Sequence, residues 1–236
     1  RDDMSGEEAK MYKATAIGWD EVVTGVSLLP GGHYEFDNYN FFAATSLKRM
    51  YGVDGVNKAF MFDGATFTQL NVDGETARPE HLRCHSNHLF LTYPQGQWVH
   101  SGIGDPEKWN AATEGAGAGG TGDDIVGLRS TVGGALAIFM RNRVSMLYGS
   151  SQLDWQSSDL RQQSEESGAY PYTMQPIGND IVYLDDRGLT SIQQAQTFGN
   201  FNSSTIDQQI KEFILFRKQS AIASCLNRSQ SQYWLF

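Results

Sequence analysis

The chain has 236 residues, 27 acidic against 18 basic, for a formal net charge of −9 and a pI near 5.0. Hydrophobic residues make up 40% and aromatics 12%, which excludes a disordered chain and is enough to bury a core. The net charge and the scattered Lys and Arg argue against a nucleic-acid-binding surface, the longest apolar runs (Ala135–Met140, Phe213–Phe216) fall short of a membrane span, and RDDMSGEEAK lacks the apolar stretch of a signal peptide.

The expectation is therefore a soluble protein in a reducing compartment, one domain over residues 1–236. The start at Arg1 and the end at SQYWLF, inside what reads as a strand, suggest a piece of a longer or processed protein. Two cysteines, Cys84 and Cys225, make no disulfide framework, and the sequence leaves their pairing open.

In chain order, AFMFDGATFTQL (Ala59–Leu70) places Asp63-Gly64 between two apolar strands, a tight-hairpin dipeptide because both central positions reach positive φ. The same layout recurs in LFLTYPQGQWVHS (Leu89–Ser101), LAIFMRNRVSML (Leu136–Leu147) and IVYLDDRGLTSI (Ile181–Ile192). Ser204–Phe216 reads as a short amphipathic helix, with Ser204 as N-cap and Ile206, Ile210, Phe213 and Ile214 on one face. QYWLF from Gln232 reads as the start of a fifth unit.

Four hairpins joined by polar, Gly-rich links point to an all-β chain and to the blades of a β-propeller, whole or partial. The nearly all-apolar first strands (AFMF, LFLTY, LAIFM, IVYL) fit strands covered on both faces. A two-sheet sandwich supplies such strands too, but does not need four similar hairpins.

Several clusters invite a chemical reading. His81, Cys84, His85 and His88 have zinc-type side chains, yet period-2 alternation sends Cys84 and His85 to opposite faces of a strand, and a structural role is favoured. EGAGAGGTGDD carries Gly115, Gly117 and Gly120 at dinucleotide-site spacing, but leads into Asp123-Asp124 rather than a helix, and reads as a flexible loop. Asp105, Glu107, Glu114, Asp123, Asp124, Asp185 and Asp186 include enough carboxylates for a glycosidase pair, but sit where Asp caps turns. No nucleophile elbow, metalloprotease helix or P-loop lysine occurs. The sequons at Asn202 and Asn227 matter only in a secreted eukaryotic protein, which nothing else in the sequence suggests. No catalytic, cofactor-binding or metal-binding residue is assigned, and no cofactor is expected.

One passage is more distinctive. His85, Ser101, Gly104-Asp105-Pro106, Trp109, the Gly-rich Gly115–Gly122, Asp123-Asp124-Ile125, Gly127-Leu128, Phe139, Arg141 and Tyr148 form an ordered series. It resembles neck and tail structural proteins of tailed bacteriophages, of the β-propeller nozzle, hub and DNA-stabilising plug type. The resemblance is tightest over residues 81–151 and looser over Tyr39–Gly64, which looks like a preceding blade, and over RSQSQYWLF. The chain is shorter than a full nozzle.

The resemblance implies a non-enzymatic virion component of the head-to-tail connector or tail, made in the host cytoplasm and retaining and conducting the genome. Its implied partners are copies of itself in a ring, expected to be six-fold, portal, adaptor or tail proteins, and viral DNA held without sequence-specific contact; no membrane insertion is implied. It makes Asp105-Pro106 a turn at a strand end and Trp109 an apolar anchor on the blade. Partner contacts are expected in the irregular links Asp154–Tyr172 and Ala111–Gly122, so that deleting Gln162–Ser167 should spare the fold and impair assembly. The alternative is a carbohydrate-binding or glycoside-hydrolysing propeller, with Tyr34, Tyr39, Trp98 and Trp155 stacking on sugars.

Overall fold

Residues 7–44, 48–75, 77–151, 155, 160–164, 168–193, 209–230 and 232–236 are described by a computed structural model of the chain. Strands dominate, and the chain divides into two compact units, Arg1–Ala118 and Gly119–Phe236.

In the first unit, β1 (Tyr12–Thr15) and β2 (Gly18–Glu21) form a hairpin. β3 (Glu35–Asn40), β4 (Lys48–Val53), β5 (Phe60–Phe62) and β6 (Phe67–Gln69) then make a four-stranded antiparallel sheet in chain order. A second four-stranded sheet follows, β7 (His81–His85), β8 (His88–Tyr93), β9 (Gln97–His100) and β10 (Gly117–Gly120), again in chain order, the last strand containing the Ala118–Gly119 boundary.

The second unit repeats the plan with β11 (Ile125–Ser130), β12 (Leu136–Met140), β13 (Val144–Leu147) and β14 (Leu160–Ser164). A three-stranded sheet of β15 (Gln175–Ile177), β16 (Asp180–Asp185) and β17 (Gly188–Ser191) comes next. The helix α1 (Lys211–Arg217) and a terminal hairpin of β18 (Ser224–Asn227) and β19 (Gln232–Leu235) complete the described elements.

The sequence of each second strand explains its place. β8 (HLFLTY) and β12 (LAIFM) are buried at every position, and β16 (DIVYLD) at all but Asp180. A strand of that composition gains stability only with apolar groups against both faces, at about 25 cal/mol for each Å² removed from water. In the first unit Leu89 and Leu91 of β8 join Phe41, Tyr51, Leu82 and Trp109 in one cluster. In the second, Ala137 and Phe139 of β12 meet Met174 and Tyr183, the two rings edge-on with centroids 5.0 Å apart.

All four expected hairpins form, but they are not four copies of one unit. Ala59–Leu70 supplies the third and fourth strands of its sheet, whereas the other three supply the second and third. The second strands of the sheets begin at Lys48, His88, Leu136 and Asp180, at intervals of 40, 48 and 44 residues. The first hairpin misled because β4 (KRMYGV) is exposed or half-buried over its first half and so lacks the apolar run of its counterparts.

Other expectations need correction. The Asp63 turn has Gly64 and Ala65 at its centre, with Gly64 at φ 102°, while Asp63 precedes them and its carboxylate accepts the Ala65 and Thr66 amides at 2.8 and 2.7 Å. QYWLF does not open a unit; it closes the hairpin begun at Ser224. The link Ala111–Gly122 contains β10 and the link Asp154–Tyr172 contains β14, so each supplies the fourth strand of a sheet. Deleting Gln162–Ser167 would therefore remove part of β14, and it is not a clean test of partner contact.

The helix is shorter than expected: Ser204 and Ile206 lie outside the described residues, and α1 starts after Ile210. Among the described residues of the expected apolar face Ile214 is buried, while Ile210 and Phe213 are exposed, as is Phe216 beside them.

Two glycines test how rigidly the second unit is packed. A Cβ on Gly168 would lie 2.2 Å from the Met140 carbonyl oxygen and 2.3 Å from Arg141 backbone atoms, whereas on Gly127 it would meet the mobile end of the Met174 side chain, Cε, at 2.1 Å. Gly168→Ala is expected to cost about 2–3 kcal/mol and Gly127→Ala less than about 1.5 kcal/mol in denaturant melts. Equal costs would refute this account of the packing.

Candidate functional site

The series Ser101–Trp109 is a closed corner after β9. Ser101 is fully buried; its amide donates to the Leu89 carbonyl at 2.9 Å, and its Oγ accepts the Leu89 amide at 3.0 Å while donating to the Gly102 carbonyl at 3.1 Å. The serine hydroxyl thus stands in for a missing ladder partner. Nothing leaves it aimed at a substrate.

The turn itself is held by Asp105, whose Oδ1 accepts the Glu107 amide at 3.0 Å, and by the Gly102 amide donating to the Lys108 carbonyl at 2.8 Å. Pro106 follows the aspartate where no amide is called for, as expected of this dipeptide. Gly104 sits at φ 74°, and a Cβ there would lie 1.9 Å from Cε2 of Phe42, so only glycine fits the approach. Trp109 returns to the core, 6% exposed, beside Phe41 and Tyr51.

Asn87, which sequence reasoning missed, locks this corner to its surroundings. Its carbonyl accepts the Gly104 amide at 2.6 Å, its Oδ1 accepts the Phe42 amide at 2.8 Å, and its own amide donates to the Tyr39 hydroxyl at 3.3 Å. Ser86 and Asn87 both have positive φ, 46° and 58°, as the tight turn between β7 and β8 requires. The Ser-Asn pair between two histidine-bearing strands was the available signal, since Asn is favoured in that backbone region.

The histidine and cysteine group disperses. His81 Nδ1 lies 3.0 Å from Glu35 Oε2, Cys84 is buried with its amide on Asp37 Oδ2 at 2.9 Å, and His85 packs edge-on against Phe90. Burial, reinforced by Asp37, pushes the Cys84 thiol well above its ordinary pKa. Among the described residues no group of three or more His, Cys, Asp or Glu could hold a metal ion. Cys84 and Cys225 are both free thiols, the first buried and the second exposed.

The carboxylates are tied to turns. Glu114 accepts the Asn110 amide at 3.0 Å, and Asp123 takes the Asn142 amide and side-chain amide at 2.8 and 3.0 Å and the Asp124 amide at 2.9 Å. Asp185, fully buried, accepts the Arg187 and Gly188 amides at 2.7 and 3.0 Å and pairs with the Arg187 guanidinium. Asp186 accepts from the Tyr170 hydroxyl at 2.9 Å and Lys218 Nζ at 3.2 Å.

A further buried tie escaped the sequence reading. Asp54 accepts the Val56 and Asn57 amides at 3.0 and 2.6 Å, and Asn57 grips both backbone groups of Leu29, its Oδ1 accepting the amide at 2.8 Å and its Nδ2 donating to the carbonyl at 2.9 Å. The Gly-rich run is not a loop but the strand β10, where Gly117 lies so close to His100 that a Cβ would come within 2.5 Å of Nε2. Of the aromatics set aside for sugar stacking, Trp98 and Trp155 are buried at 1% and 5% exposure. A shallow groove of about 570 Å³ is lined by Tyr39, Asn40, Lys48, Arg49 and Asp63.

No family model matches the chain, and no curated protein matches it. Among solved structures it is similar to two of extracellular domains from B. thetaiotaomicron, described as belonging to a hybrid two-component system and a one-component system. Each has 11% identity and a TM-score of 0.26, over 67% and 66% of this chain and 33% of the other. It is also similar to YCF48 bound to D1 peptide, at 11% identity and TM-score 0.30, over 85% of this chain and 74% of that one. The chain spans about a third of the length of the first two.

The buried His100 supplies a pH test of the corner. It is 1% exposed, its Nδ1 donates to the Ser101 carbonyl at 2.9 Å, and its ring meets His88 at 5.2 Å and lies 5.5 Å from Phe90. Burial lowers its pKa from 6.5 to about 4, helped by His88 and opposed by the Ser101 carbonyl. Between pH 6.5 and about 4 the unfolded chain takes up a proton that the folded chain refuses, so stability present at pH 7 is lost, by roughly 3 kcal/mol in total. His100→Asn is expected to flatten the decline by that amount in urea melts across this range; an unchanged profile would show that His100 does not drive it.

Proposed function

We propose that this chain is a structural, non-catalytic part of a tailed-bacteriophage neck or tail, a single β-propeller domain whose copies ring the path of the genome. The observation that carries the reading is the use made of the most distinctive residues. Ser101, Gly104, Asp105 and Trp109 are among those on which the resemblance to phage propeller proteins rests, and each is spent on closing a corner.

The blade reading draws support from the sheets themselves. Three are four-stranded, follow chain order and recur at intervals of 40–48 residues between second strands. Strands that are apolar on both faces are what stacking of one sheet on the next would require.

The work of such a part is positional. A net charge of −9 repels phosphate, so that DNA in the conduit is confined without adhering and leaves freely when the tail opens. Its partners are other copies of the chain in a six-fold ring and the portal, adaptor or tail proteins above and below it. Among the described residues no helix is long and apolar enough to cross a membrane.

Electron microscopy of the purified chain and of tailed particles carrying a tagged copy tests this reading. The expected result is a ring with an open axis, located below the head and lined mainly by acidic and neutral side chains. A lining of Lys and Arg would refute the conduit mechanism. Glycan binding on an array, with chromogenic glycoside turnover abolished by Asp→Asn substitution, would replace the structural reading by an enzymatic one.

A further inference from the structure

The strand β3 (EFDNYN) divides its side chains between two tasks. Its odd positions tie the first sheet to the second: Glu35 Oε2 lies 3.0 Å from His81 Nδ1, Asp37 Oδ2 accepts the Cys84 amide at 2.9 Å, and the Tyr39 hydroxyl accepts the Asn87 amide at 3.3 Å. Period-2 alternation turns Phe36, Asn38 and Asn40 to the opposite face.

The register carries that face across the sheet. Asn40 lies opposite Lys48, Asn38 opposite Met50 and Phe36 opposite Gly52, and Met50 in turn lies opposite Phe62 of β5. Ala9, Val22 and Leu28 from the preceding segment cover one end, packing with Phe60, Phe62 and Phe67 and leaving Met50 half-buried. At the other end is the groove of about 570 Å³, where Met50 and Phe62 make an apolar floor and Asn38, Asn40, Lys48 and Asp63 surround it.

Asn40 is out of keeping with its place. It stands at the N-cap of the short turn Phe41–Ala43, yet its side chain makes no cap bond, and its Oδ1 is buried with no hydrogen-bond partner among the described residues. A buried acceptor left unpaired is costly and calls for a partner. With nothing to hold it, the amide can turn toward a group in the groove.

The chemistry of the rim selects the class of occupant. The two amides each offer donors and an acceptor, Lys48 donates, and Asp63 keeps Oδ2 as an acceptor because Oδ1 takes the Ala65 and Thr66 amides. The other cations nearby are engaged, Arg49 with Glu107 at 4.0 Å and with Met61 Sδ at 3.0 Å, and Lys13 with the Gly64 carbonyl at 3.1 Å. A phosphate only accepts, and it would meet a carboxylate. An extended peptide pairs with a sheet edge, whereas this groove lies on a sheet face. A sugar hydroxyl both donates and accepts, and the C–H face of the ring suits an apolar floor. Phe36, 48% exposed and stacked on Tyr34 at 5.9 Å, continues the same face beyond Asn38 and offers a platform to a second ring.

We infer that this groove binds a neutral saccharide of at least two pyranose rings. One ring lies over Met50 and Phe62 with hydroxyls on Asn38, Asn40, Lys48 and Asp63, and the next lies against Phe36. The site belongs to a single copy of the chain and is separate from any ring of copies. Recognition here needs no turnover.

Saturation-transfer NMR on the full chain tests the inference, with maltose, lactose, cellobiose and chitobiose and their constituent monosaccharides as probes at about 0.1–20 mM, a range suited to an open groove. At least one disaccharide is expected to bind, more tightly than its monosaccharides, and inorganic phosphate is expected not to displace it. Asn40→Ala should weaken binding about five- to tenfold while the melting temperature stays at or above that of the wild type, since this side chain supports nothing in the free chain. Phe36→Ala should bring the disaccharide down to the affinity of the monosaccharide. No transfer to any of these sugars at about 20 mM, displacement by phosphate, or disaccharide binding undiminished in either variant would overturn the inference. So would a lowered melting temperature of Asn40→Ala, which would make Asn40 a structural residue.

Discussion

A strand buried on both faces is the constraint from which the rest of this structure follows. β8 and β12 present no solvent-facing side chain, so a single-layer sheet cannot contain them; each must lie between two apolar layers. The surrounding strands then have a defined task. They flank the buried strand in the same sheet and satisfy its backbone groups. The graded burial of β9, half of whose positions are buried, and of β10, none of whose positions is, shows burial falling off toward one edge of one sheet.

How much of this was legible depends on where side-chain chemistry and backbone geometry coincide. The apolar runs of β8, β12 and β16 stand out because burial on both faces leaves no room for alternation. β10 and β14 do not, since outer strands of Gly-Ala-Gly-Gly or Leu-Arg-Gln-Gln-Ser have no hydrophobic pattern, and only the partner strand defines them. The phase of the first sheet was lost for the same reason: the front of β4 is Lys-Arg-Met, and the eye passes to the apolar β5.

The corner at Ser101–Trp109 was read correctly as a turn because its chemistry is local. Asp105 caps its own neighbours two residues on, and proline removes an amide there, both functions of adjacent positions. Asn87 was missed because its partners, Tyr39, Phe42 and Gly104, lie 48, 45 and 17 residues away, and no window along the chain contains them all. Carboxylates that looked available for chemistry were likewise engaged by groups that only the fold brings near, as Asp123 is by Asn142 across 19 residues. Abundant acids on a β-rich chain are thus poor evidence of catalysis when every hairpin needs a cap.

The junction at Asn87 also bears on how the first unit comes together. Two stretches distant from it, Tyr39–Phe42 and Gly104, meet at one amide-bearing residue held in a left-handed turn, and each of its hydrogen bonds forms only when its partner is brought near. Closing loops of that length is slow compared with zipping a hairpin, so the ties between the two neighbouring sheets form after the hairpins themselves. Releasing either stretch leaves groups of Asn87 without the partners that tie the two sheets together.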